Sequence, residues 1–158
     1  MIERDLWNLW LTSNLRIYIS GSEISVYDPN ASVFDPRSLF KQLEVSSLDL
    51  DSKLFLITAW NPNGVLRPSY INKTKQAELL TRLASLRVEC WPSLGSSESW
   101  QEWGTSFLSQ DDSLAQELGN RFGQAAYYRV SRTSLSCVEV GGKGSSTEIC
   151  RTLRRDLK

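Results

Sequence analysis

The chain has 158 residues, 41% of them apolar and 23% charged, so it suits a single globular domain whose core needs neither metal nor disulfide. Its 18 basic side chains are balanced by 18 acidic ones, which argues against nucleic acid as a partner, because phosphate recognition normally brings a basic excess. It contains no histidine, which excludes a Ser-His-Asp triad, a Cys-His dyad and any His-ligated zinc or iron site.

Ile2, Leu6, Leu9 and Trp10 recur at helical spacing, predicting an amphipathic helix over 2–12. Alternating Leu15, Ile17 and Ile19, then Ile24 and Val26, flank the turn residues Ser20-Gly21-Ser22 and predict a β-hairpin. Asp35-Pro36 reads as an N-cap followed by proline at the first helical position, opening a short helix through Leu43. Residues 53–60 form a nearly continuous apolar run, as expected of a strand covered on both faces and central in its sheet.

Asn61 to Pro68 reads as a loop. A helix capped by Ser69 follows, with Leu79, Leu80, Leu83 and Leu86 as its buried stripe and an end near Ser85. Val88, Cys90 and Trp91 suggest a strand stopped by Pro92, Gly95 to Ser99 a flexible loop, and Trp103 to Leu108 another strand. Asp111 is placed to cap a helix with Leu114, Ala115, Leu118 and Phe122 on one face and Gly123 at its end. Two strands, 125–130 and 135–140, come next. Ser145 and Glu148 at capping-box spacing then predict a basic C-terminal helix over 145–158.

These elements define an α+β single domain spanning 1–158. Residues 1–50 supply an N-terminal helix and hairpin extension, and 53–140 the central part. The element order from Leu54 onward points to a ferredoxin-like, split β-α-β mixed sheet with helices packed on it, which the N-terminal helix and hairpin extend or cover.

Three cysteines without a CxxC spacing read as inert thiols in a reducing compartment. Charges at Glu3, Arg4 and Asp5 stand where a signal peptide needs apolar residues, and no apolar run is long enough to span a membrane, so a cytoplasmic location without membrane insertion is expected. Neither a cofactor nor a metal is implied, since no GxGxxG, Walker or thiolate-zinc pattern is present.

Thr58-Ala-Trp-Asn-Pro62, the polar helix start at Asn72 to Lys75, Trp100 with Glu102, Ser106-Phe-Leu108 and Arg121-Phe-Gly-Gln-Ala125 follow one another in an order that resembles the bacterial family known as domain of unknown function 3293. The resemblance covers about residues 53–140. Lys75 stands where the family pattern favours arginine, which replaces a planar fork by a point charge. What the resemblance implies is a bacterial, cytosolic protein; it implies no activity.

Two polar groupings are the candidate sites. Asn61, Asn72, Lys75 and Gln124 are placed where a strand finishes and helices begin or end, a setting that attracts anions, so they are the candidate ligand-binding residues for a small anionic or nucleotide-like molecule. The same residues also have a local explanation, as caps and loop-forming amides. Glu102, between Trp100 and Trp103, is the candidate acid or base, a carboxylate whose pKa neighbouring indoles would raise; a solvated edge-strand glutamate is the alternative.

Trp60, Trp91, Trp103, Tyr127 and Tyr128 could stack nucleobases but are equally core material, and Arg151, Arg154 and Arg155 could meet an acidic partner or simply suit a helix C-terminus. The expected function is therefore a small non-catalytic binding or regulatory domain. An enzyme using Glu102 and a protein-interaction module are the alternatives.

Overall fold

The computed structural model describes residues 4–31, 34–44, 51–141 and 145–151. Helix α1 (Arg4–Leu11) leads into strands β1 (Asn14–Ile19) and β2 (Ser22–Tyr27), joined by Ser20 and Gly21, which both take positive φ as a tight primed turn requires. Helix α2 (Pro36–Gln42) begins as expected, with the Asp35 carboxylate accepting the Ser38 N–H at 3.1 Å. Strand β3 (Lys53–Ile57), helix α3 (Ser69–Ser85), strands β4 (Cys90–Ser97) and β5 (Trp100–Ser109), helix α4 (Ser113–Arg121), and strands β6 (Ala126–Val130), β7 (Ser134–Glu139) and β8 (Ser146–Arg151) follow among the described residues.

All eight strands form one sheet in the order β2-β1-β4-β5-β3-β6-β7-β8, and every neighbouring pair is antiparallel. This overturns the ferredoxin-like, split β-α-β expectation: the sheet is neither mixed nor limited to a four-stranded sandwich, but curls into a half-barrel accompanied by four helices. The physical reason lies in β3. Its Phe55 and Ile57 join α3, α4 and Tyr127 in one core, while Leu54 and Leu56 join a second core with α2, β1 and β2. Helices on one face alone would leave Leu54 and Leu56 in water, so the second face must be closed too. That second core contains Leu15, Ile17 and Val26 from one end of the sheet and Leu135, Ile149 and Cys150 from the other, which only a curled sheet can bring together.

Three local expectations also change. Pro92 does not stop β4, which runs on through Gly95 to Ser97 where a flexible loop was expected. Pairing with β1 starts only at Ser93, so Pro92, which has no N–H to give, lies at a position where that side of the strand is unpaired. Residues 146–151 are not helical. Thr147 and Ile149 suit a strand, and the edge of β7 offers a ladder that β8 completes. Lys143 and the tail residues Leu153, Arg154, Arg155, Leu157 and Lys158 lie outside the described residues. Finally, Ser69 is the first helical residue and not a side-chain cap, and the buried face of α3 is Asn72, Leu79 and Leu83, with Leu80 and Leu86 exposed. No helix among the described residues is long and apolar enough to cross a membrane.

Candidate functional site

Where β3 ends, the chain turns through a loop held almost entirely by short polar side chains. The Thr58 hydroxyl donates to the Trp103 carbonyl at 2.6 Å and accepts the Trp60 N–H at 3.0 Å. Asn61 then takes the left-handed conformation (φ 46, ψ 61), which asparagine tolerates better than most residues. The loop is tied to the far end of α4 by the Asn63 N–H, which donates to the Gly123 carbonyl at 2.9 Å. Gly123 itself has φ +65 and closes α4 in a Schellman arrangement, with the Gln124 N–H donating to the Gly119 carbonyl at 2.8 Å.

Asn61 is a buried hub. Its backbone N–H donates to Asn72 Oδ1 at 3.0 Å, and its own Oδ1 accepts from Asn72 Nδ2 and from the Arg67 N–H, both at 2.9 Å. Two donors on Oδ1 fix which way the amide faces, so Nδ2 must point the other way. There it donates to Glu102 Oε1 at 2.9 Å. The Glu102 carboxyl is pushed above its ordinary pKa, chiefly because burial penalises the charge; hydrogen bonds from Asn61 and Trp100 oppose that rise.

Glu102 and Asn61 open onto a cavity of about 160 Å³ on the face of the sheet beneath α1. Leu6, Leu9 and Trp10 of α1 form its roof, and Leu15, Leu56 and Tyr128 rise from the strands below. Small residues line it on β4 and β5, where Gly95 pairs with Glu102 and Ser93 with Gly104. A Cβ at Gly104 would stand 2.4 Å from the Ile57 carbonyl oxygen, so only glycine fits that close crossing of strands. Trp100 packs over Gly95 and walls one side. The roof is fastened by the Tyr128 hydroxyl, which donates to the Trp10 carbonyl at 2.8 Å. Among the described residues, no lysine or arginine lines the cavity, and Glu102 is the one carboxylate that does.

The two groupings expected from the sequence therefore merge in part. Asn61, Asn72 and Glu102 form one hydrogen-bonded chain. Gln124 lines the same cavity, and its Nε2 donates to the Trp60 and Phe122 carbonyls at 3.1 and 3.3 Å, bracing the loop. Lys75 stands apart, ion-paired with Glu78 at 3.3 Å in a shallow groove between α3 and the end of α4 that also holds Arg82 and Arg121. Ser93, Gly95, Gly104 and Trp10 are not among the site residues expected from the sequence, and Tyr128 is expected there only as a nucleobase-stacking or core aromatic. A glycine within a strand pattern, Gly104 between Trp103 and Thr105, is the one signal that points to them. Among the described residues, no group of three or more Cys, Asp or Glu side chains could hold a metal ion.

Fold and site together define an α+β domain built on one curled antiparallel sheet, with a small, mostly apolar cavity that carries an oriented carboxylate. Residues 57–127 match the family described as "Protein of unknown function (DUF3293)". The matched segment contains the whole Asn61–Asn72–Glu102 chain, whereas the α1 roof and Tyr128 fall outside it. No curated protein and no solved structure matches the chain.

Proposed function

We propose that the protein is a small-molecule binding domain whose ligand places an apolar body under α1 and a hydrogen-bond-donating or cationic group on Glu102. One observation carries this reading: a carboxylate oriented by Asn61 stands in a mostly apolar cavity that no lysine or arginine among the described residues lines. A ligand amine or amidine would supply the missing countercharge, in surroundings where water screens it little. This moves the ligand away from the anionic or nucleotide-like class that Lys75 suggested, since that cation lies in the other groove. Asn61, Asn72 and Gln124 act here as the frame that holds Glu102 and the loop. Bacterial origin and a cytoplasmic location belong to the same proposal, and the three free thiols suit a reducing compartment.

A specific observation favours a second reading, acid–base catalysis by Glu102. Its carboxyl has a raised pKa, and Tyr128 and Cys137, which share the cavity, are both pushed up and stay protonated near neutrality, leaving Glu102 as the base. Thermal-shift measurements with small amines and amidines test the binding reading. A compound at about 100 times its Kd should stabilise the fold by about 2.7 kcal/mol, a rise of several degrees. Glu102→Gln should abolish the rise; an equal rise with carboxylate-bearing compounds would refute it. Turnover of a bound compound, lost in the same variant, would favour catalysis.

A further inference from the structure

Besides Glu102, Thr58, Asn61 and Gln124, Ser93 also lines the cavity. Ser93 is only 4% exposed, and its hydroxyl has no hydrogen-bond partner among the described residues. A hydroxyl that lines a cavity and is not taken up by the protein is free to bond a molecule held there. Its oxygen lies 3.0 Å from where a Cβ at Gly104 would stand, on the sheet face that also carries Glu102. Ser93, Gly104, Gly95 and Glu102 form a two-by-two block: the polar side chains occupy one diagonal and the glycines the other. Diagonal partners on neighbouring antiparallel strands stand roughly 7–8 Å apart, the span of one substituted ring.

We propose that this block recognises a single-ring aromatic amine or amidine bearing a second polar substituent, with the cationic nitrogen on Glu102 and the substituent on Ser93. This inference rests on the ligand reading of the cavity given above. Trp10, Tyr128 and Trp100, which packs over Gly95, supply aromatic walls for a ring. The size agrees: a cavity of about 150 Å³ accommodates benzene in other proteins, against about 160 Å³ here.

Calorimetric titration of the full chain with benzamidine and its meta- and para-hydroxy derivatives separates the two claims. At least one hydroxy isomer should bind about tenfold tighter than benzamidine, the gain expected of one added hydrogen bond. Ser93→Ala should erase that gain and leave benzamidine itself within about twofold, while Glu102→Gln weakens all three by about tenfold or more. Because the Ser93 hydroxyl bonds to nothing else among the described residues, Ser93→Ala should melt at or slightly above the wild-type temperature, which guards against loss of fold. If neither hydroxyl tightens binding, or the gain survives Ser93→Ala, this inference fails and the ligand reading stands. If benzamidine does not bind, or binds equally to Glu102→Gln, the ligand reading fails with it.

Discussion

At the scale of the residue, the decisive feature is a charge kept where water is scarce. Asn61 Nδ2 offers Glu102 one donor, and burial outweighs what the Asn61 and Trp100 hydrogen bonds return, so the folded carboxyl holds its proton to a higher pH than the unfolded chain does. Between the ordinary and the raised pKa the folded state therefore binds more protons than the unfolded state. Stability contributed by this group is full below the ordinary value and falls as pH rises through the folded one. Glutamine retains an acceptor for Asn61 but does not ionise. Glu102→Gln should consequently come closest to the wild type at about pH 4 and gain on it in stability as pH rises towards about 7. Melting curves of both proteins across that range check this; a wild type that gains on the variant as pH rises would contradict it. Affinity for an amidine should run the opposite way, rising as Glu102 ionises.

At the scale of the element, α1 is the roof of the cavity, yet it contributes no fully buried residue. Its polar fastenings to the rest of the chain include the Tyr128 hydroxyl on the Trp10 carbonyl and the Ser13 hydroxyl on the Leu9 carbonyl at 2.6 Å. An element with so little burial belongs to the low-stability end of a fold and opens before the sheet does. Tyr128→Phe should lower overall stability by about 1 kcal/mol and speed amide exchange in α1 selectively, leaving β3 and β5 protected. Uniform acceleration would show instead that the roof is part of the core. Much of this level was legible beforehand. The spacing of Leu6, Leu9 and Trp10, the Asp35-Pro36 start and the Gly123 end each have a local cause, and local causes are written in neighbouring residues. What was not legible were the places where a tertiary partner decides: β4 runs through Pro92 because β1 pairs only from Ser93 onward, and 146–151 is a strand because β7 has a free edge. In the site, Asn61, Asn72 and Glu102 were singled out separately, but their union could not be read, because 41 residues separate Asn61 from Glu102 and only sheet register joins them.

At the scale of the molecule, strand order is the information that apolar periodicity lacks. The run from Leu54 to Ile57 announces two covered faces but not what covers them, and the answer comes from chain segments at both ends of the sheet. The consequence is mechanical. Phe55 stacks on Phe107 with ring centroids 5.6 Å apart and packs with α3 and α4, while Leu54, its neighbour in the same strand, packs with α2, β1 and β7. Both are fully buried, so neither core can loosen without disturbing the strand that the other needs. Phe55→Ala should cost about 3–5 kcal/mol and Leu54→Ala about 2–5 kcal/mol, each through the cavity it leaves. If the cores form one cooperative unit, both variants shift the urea midpoint without changing the slope, and tryptophan fluorescence and far-ultraviolet circular dichroism report the same single transition. Two resolved transitions, with Phe55→Ala moving one and Leu54→Ala the other, would mean that the faces of β3 unfold independently and that the sheet does not couple them.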